Sequence, residues 1–243
     1  MPAQPPSELD LLQQAALFHN LPAADLAVLA EQARTRTQAR GGFFFHQGDP
    51  ATALYLLTAG HVRLTQITPE GHQVVIRFVS PGQIFGEIAA LGEAVYPAGA
   101  EAVGDCSALA WDAPSLAALL ERSPRLALNL VRHLAGRVQD LQDRLRELAT
   151  ERVEQRVARA LLRLVRQTGR RVEGGVLIDF ALSRQDLAQM TGATLYTVSR
   201  ILSRWEEEGI VASGRTRILV RVPHRLVALA EDLPPPPPPK ETG

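Results

Sequence analysis

The chain has 243 residues, 46% of them hydrophobic, which is enough to bury a sizeable core and to form two domains. A single cysteine, Cys106, excludes an intrachain disulfide framework and an all-cysteine zinc or iron–sulfur site within one chain. The net charge of zero is unevenly spread: residues 1–150 carry 11 basic and 15 acidic side chains, whereas residues 151–225 carry 14 arginines against 8 acids.

Residues 1–14, with Pro2, Pro5 and Pro6 at their start, read as a flexible arm. Apolar positions at helical spacing over residues 9–33, broken at Asn20-Leu21-Pro22, predict two short helices. No apolar N-terminal stretch resembles a signal peptide and no run approaches a membrane span, so a cytoplasmic protein without membrane contact is expected. From Phe43 to Trp111 short apolar or alternating runs alternate with turn signals, at Gln47-Gly48-Asp49-Pro50, Ala59-Gly60, Pro69-Glu70-Gly71 and Pro81-Gly82. That texture predicts a sandwich or barrel of short strands.

Residues 124–149 change period. Ser123 and Pro124 open a helix, and Val131, Leu134, Val138, Leu141, Leu145 and Leu148 then recur at alternating steps of three and four. Charged side chains flank this narrow seam, which favours pairing with a second copy over packing against its own domain. Residues 151–168 predict another amphipathic helix. Gly174-Gly175 reads as a turn and Val176–Phe180 as a short strand.

The stretch 183–209 carries the strongest signal. Ser183-Arg184-Gln185-Asp186 has the form of a capping box, and Leu187, Ala188 and Met190 give the helix after it an apolar face. Thr191-Gly192-Ala193 makes a short turn, and Thr194 caps a second helix whose Val198, Ile201, Leu202 and Trp205 point inward. Helix, glycine-containing turn, helix is the helix-turn-helix pattern. Such a second helix presents its first turns to the major groove, here Thr194, Leu195, Tyr196, Thr197, Ser199, Arg200 and Arg204. Arg200 can donate two hydrogen bonds to guanine O6 and N7. Leu195 and Tyr196 can press on a thymine methyl. After Gly209, Ile210-Val211 and Ile218–Val222 predict a hairpin, or wing, from which Arg215 and Arg217 reach phosphates. The basic balance of this segment supplies the positive field that duplex binding needs. Residues 231–243, with Pro234–Pro239, read as a disordered polyproline tail.

Three motifs in this order resemble the CRP/FNR family of bacterial transcription regulators over roughly residues 15–230. They are Phe45-His46-Gln47-Gly48-Asp49 with Leu54-Tyr55 and Gly60; Pro81-Gly82-Gln83-Ile84-Phe85-Gly86-Glu87; and Leu187-Ala188…Gly192…Thr197-Val198-Ser199-Arg200. The resemblance implies an α+β fold: a jelly-roll-like β-roll sensor domain (15–123), a dimerisation helix (124–149) and a winged helix-turn-helix (150–230). It implies double-stranded DNA, a second copy of the chain and RNA polymerase as partners, with an effector pocket at Ile84, Phe85, Gly86, Glu87, Ile88, Tyr96 and Ala98 for an unknown small effector. A ligand there would shift how the DNA-binding domains hang from the long helix, with the joint near Ala149–Arg152.

Two departures qualify the resemblance. Cyclic-nucleotide-binding members place an arginine about ten residues after the glutamate, to pair with the cyclic phosphate. Here that stretch is Tyr96-Pro97-Ala98-Gly99, so weak or no cAMP binding is expected, and Glu87 reads as a remnant capping local backbone amides. The family also commonly places a glutamate directly before Thr-Val-Ser-Arg, where this chain has Tyr196. Cys106 reads as a core cysteine, and no cofactor is expected. A haem-based gas sensor remains the alternative within the family, with His19, His46, His61, His72 and His133 as candidate ligands. A regulatory module acting through protein contacts is the alternative outside it. No nucleophile elbow, phosphate loop or metal-ligand pair suggests an enzyme.

Overall fold

The computed structural model describes residues 12, 13, 15–92, 94–214 and 216–233. Most of the expected N-terminal arm, Arg215 and the polyproline run from Pro234 lie outside the described residues. The chain divides into two compact units, residues 1–143 and 144–243.

The first unit contains helix α1 (Ala23–Gln32), strands β1 (Arg34–Gln38), β2 (Phe43–Phe45), β3 (Ala53–Ala59), β4 (Val62–Ile67), β5 (Gln73–Val79), β6 (Ile84–Phe85), β7 (Gly99–Ala102) and β8 (Cys106–Asp112), helix α2 (Ala113–Arg122), and the start of the long helix α3 (Pro124–Thr150). The strands form two antiparallel sheets, ordered β1-β8-β3-β6 and β2-β7-β4-β5. Strand β3 shows why the sequence reads as it does. Tyr55 and Leu57 point into one core with Val62, Leu64, Val79 and Ala100, while Leu54 and Leu56 point into a second core with Leu29, Leu116, Leu119 and Leu126. A strand buried on both faces appears as an unbroken apolar run, Leu54–Leu57, rather than an alternating one. Trp111 sits in the helix-side core, fully buried, and donates from Nε1 to the Leu29 carbonyl at 2.8 Å. Cys106 is buried in the other core, as expected.

The second unit holds the end of α3, helix α4 (Val153–Thr168), the hairpin β9 (Gly169–Val172) and β10 (Gly175–Ile178), helices α5 (Arg184–Thr191) and α6 (Leu195–Glu207), strands β11 (Val211–Ser213) and β12 (Ile218–Val220), and helix α7 (Pro223–Ala230). Its sheet is ordered β11-β12-β10-β9. The strand expected at Val176–Phe180 starts one residue earlier and stops at Ile178, and Arg170 and Arg171 of its partner β9 pair with Leu177 and Val176. Val157, Leu161 and Leu164 of α4 and Val198, Leu202 and Trp205 of α6 are all buried.

The end of α3 is tied into this second unit by charge. Glu147, 5% exposed, accepts from Arg163 of α4 at 2.6 Å. Glu151 accepts from Arg159 Nε through both carboxylate oxygens at 3.0 Å, and its carbonyl accepts from Arg156 at 2.8 Å. Breaking one partner of such a buried pair strands the other's charge. These pairs hold Glu147 and Glu151 against α4, and by internal contacts the chain divides between Asp143 and Arg144. Among the described residues, no helix is long and apolar enough to cross a membrane.

Candidate nucleic-acid interface and effector site

The helix-turn-helix is built from local capping chemistry. Ser183 Oγ accepts from the Asp186 amide at 3.1 Å, and Asp186 accepts from the Ser183 amide at 2.9 Å. The pair satisfies two otherwise orphaned donors at the start of α5. Helix α5 ends at Gly192, whose φ of 61° lies in the left-handed region. A Cβ there would be strained and would meet Leu148 at 3.1 Å. Thr194 then caps α6, its hydroxyl accepting from the Thr197 amide at 3.1 Å.

Once Val198, Ile201, Leu202 and Trp205 turn inward, helical spacing forces Tyr196 and Arg200 outward, and Leu195 is left open at the helix's first residue. Leu195 is 47% and Tyr196 70% exposed, Arg200 is exposed, and Ser199 and Thr197 are half-buried. The Arg200 guanidinium carbon lies 5.7 Å from the Tyr196 ring centroid. Two of the expected contacts are partly committed elsewhere. The Thr194 and Thr197 hydroxyls bond each other at 2.9 Å. Arg204 is drawn to Glu154, the carboxylate that also accepts from Trp205 Nε1 at 3.0 Å, and to Glu208 at 3.8 Å. That pairing competes with any phosphate for Arg204. In the wing, the Gly214 amide donates to the Arg217 carbonyl at 2.8 Å. Arg217 is exposed beside a hollow of about 250 Å³ that Arg170, Asp179 and Phe180 help to line.

In the first unit the expected pocket residues separate. Gly86, at φ 76°, turns the chain into a short 3-10 segment, Glu87–Leu91; a Cβ on it would approach the Ala53 carbonyl to 2.9 Å. Ile84 and Phe85 are buried. Phe85 stacks on Tyr55 with centroids 4.9 Å apart, and Tyr96 stacks on Phe45 at 3.6 Å while its hydroxyl donates to the Ala53 carbonyl at 2.6 Å. Phe85 and Tyr96 thus fill the core, and of the seven only Glu87, Ile88 and Ala98 are half-exposed.

Glu87 is not mainly a cap for local amides. Its Oε1 accepts from Arg77 Nη2 at 3.0 Å and lies 2.9 Å from His133 Nε2. Arg77, 7% exposed, also donates to the Ile84 carbonyl at 2.8 Å. Burial works against the Glu87 charge, but the His133 bond and the Arg77 charge outweigh it and hold the carboxyl below the usual carboxylate range. Sequence reading missed both partners, although each left a signal. Arg77 is a charge inside the apolar run Val74–Val79, a place where a charge needs a partner. His133 follows Leu126 and Leu130 at helical spacing, and both of those are buried.

Along α3, Val131, Val138, Leu141, Leu145 and Leu148 are each more than half exposed. Leu134 is half-buried and packs partly against the first unit's helical core; Leu128, 48% exposed, adds to the open apolar set.

Residues 35–123 match the cyclic nucleotide-binding domain family, and residues 155–229 match the Crp-like helix-turn-helix domain. A cyclic AMP receptor protein of Thermus thermophilus is 35% identical over 205 residues, which span 84% of this chain and 92% of that protein. The chain belongs to the CRP/FNR family of transcription regulators. A CRP-like cAMP-activated global transcriptional regulator of Mycobacterium tuberculosis is 25% identical over 221 residues, 91% of this chain and 99% of that one. The solved structure of FixK2 from Bradyrhizobium japonicum superposes with a TM-score of 0.71 at 29% identity, covering 81% of this chain and 96% of that chain. In this CRP/FNR regulator residues 155–229 are the helix-turn-helix DNA-binding domain, and its relatives are regulators rather than enzymes.

Proposed function

We propose that this regulator binds specific, near-palindromic duplex sites as a homodimer in the cytoplasm and does so without depending on cAMP. The observation that carries the reading is the outer face of α6, where Arg200 and Tyr196 stand exposed beside a wing bearing Arg217. Two copies paired along the open apolar positions of α3 would set two such helices into successive major grooves, roughly 34 Å apart. Arg200 reads a guanine through O6 and N7, and Arg217 contacts phosphate and fixes register. RNA polymerase is the downstream partner. A cell whose regulator lacks Arg200 loses part of its site selection: Arg200→Ala is expected to cost about 1–3 kcal/mol of specific binding and to relax choice at one base pair per half-site. Titration of labelled duplexes checks this, and unchanged affinity and selectivity would remove α6 from the groove.

The make-up of the site supports cAMP independence. Pro97 and Ala98 offer no cation to a buried phosphate, and Glu87 is already engaged by the Arg77 guanidinium and the His133 ring. Calorimetric titration with cAMP is expected to show weak or no binding; low-micromolar affinity contradicts this. The reading requires no haem; among the candidate histidines, His133 Nε2 lies 2.9 Å from Glu87 Oε1.

A further inference from the structure

We infer that Tyr196 is a positioning residue for base reading: its ring, rather than its hydroxyl, holds the Arg200 guanidinium on the outer face of α6. This inference rests on the proposed reading of guanine by Arg200.

Tyr196 and Arg200 are four residues apart on one helix, the spacing at which side chains meet. The guanidinium carbon lies 5.7 Å from the ring centroid, within cation–π range. The other arginines around α6 are held differently. Arg204 is paired with Glu154 and Glu208, and Arg184 at the start of α5 reaches Glu206 at 3.4 Å and Ser213 Oγ at 2.9 Å. Those partners consume N–H donors and neutralise the charge. Among the described residues no carboxylate pairs with Arg200; its partner is a π face.

The chemical difference matters for recognition. A ring attracts the flat face of a guanidinium and leaves its edge free, and the edge carries the N–H groups that fork onto guanine. An arginine already restrained near its reading position loses less rotamer freedom on binding than a free one. The ring therefore acts on guanine selection through Arg200. It contributes no hydrogen bond of its own.

Because Tyr196 is 70% exposed, its replacement leaves the core of the second unit intact. The test uses the full-length chain and a duplex selected by the wild-type protein, with a copy in which the guanine read by Arg200 is replaced by adenine. The measured quantity is the ratio of affinities for the two, together with the slope of affinity against salt. Tyr196→Phe is expected to keep the wild-type ratio. Tyr196→Ala is expected to lower it by about two- to five-fold with the salt slope unchanged, since no phosphate contact is lost. Arg200→Ala is expected to lose the discrimination. If Tyr196→Ala discriminates like wild type while Arg200→Ala does not, the positioning role is overturned and the DNA reading stands. If Tyr196→Phe fails as Tyr196→Ala does, the hydroxyl is the acting group and the inference is overturned. Should Arg200→Ala itself discriminate normally, both fall.

Discussion

Replacing Leu141 and Leu145 together with glutamate is expected to convert the proposed dimer to a monomer and to weaken specific DNA binding by about 100-fold or more. Both side chains are more than half exposed on α3, at 54% and 69%. Burying a leucine is worth about 1.5–3 kcal/mol, and a dimer seam would bury both from each chain. The loss at the DNA is larger than the loss of one contact surface. A linked pair of helices binds its second half-site at high effective concentration, an advantage on the order of 10²- to 10⁴-fold that a monomer forfeits. Glutamate is a good helix former and both positions face solvent within the chain, so each unit keeps its fold. Sedimentation and duplex titration measure the two effects. A double variant that stays dimeric would place the interface elsewhere.

Glu87→Ala is expected to destabilise the first unit by about 3 kcal/mol at neutral pH, because it removes a carboxylate that accepts from the buried Arg77. The pH dependence has a definite sign. The folded Glu87 carboxyl lies below its ordinary value, so its contribution is fully present above the unfolded value of about 4.3 and is lost as pH falls through the lower folded one. The stability gap between wild type and Glu87→Ala should therefore be widest above about pH 5 and narrow below about pH 4. Denaturant unfolding across that range reads it directly. Equal stability of the two proteins at pH 7 would show that Arg77 and His133 do not depend on Glu87.

What the sequence disclosed, and what it hid, separates by the range of the interaction. The helix-turn-helix was legible because its signals are local: the Ser183–Asp186 box spans three residues, Gly192 marks the turn, and the inward positions of α6 recur at helical spacing. The buried run Leu54–Leu57 was legible for the same reason. Strand β1 was not. Arg34–Gln38 is polar and exposed, and becomes a strand only because β8 pairs with it, from Arg34 opposite Ala110 to Gln38 opposite Cys106. Strand β9, with Arg170 and Arg171 exposed, is a similar case. The Glu87 site joins residues 10 and 46 positions apart, and no spacing rule links them. Leu134 obeys the seam period yet is half-buried against its own core, since the period fixes the helix face only to within a side chain's width. Tyr96 falls in the cassette by position, but an aromatic ring there gains more by stacking on Phe45 than by lining a ligand site.

The central claim is that a symmetric pair of α6 helices reads the edges of base pairs. Selection of duplexes bound by the full-length protein from a random pool tests it most directly. The enriched sequences should be inverted repeats whose half-sites lie about one helical turn apart, each with a guanine at one fixed position. Enrichment of single, unpaired elements, or none above background at moderate salt, would contradict the account.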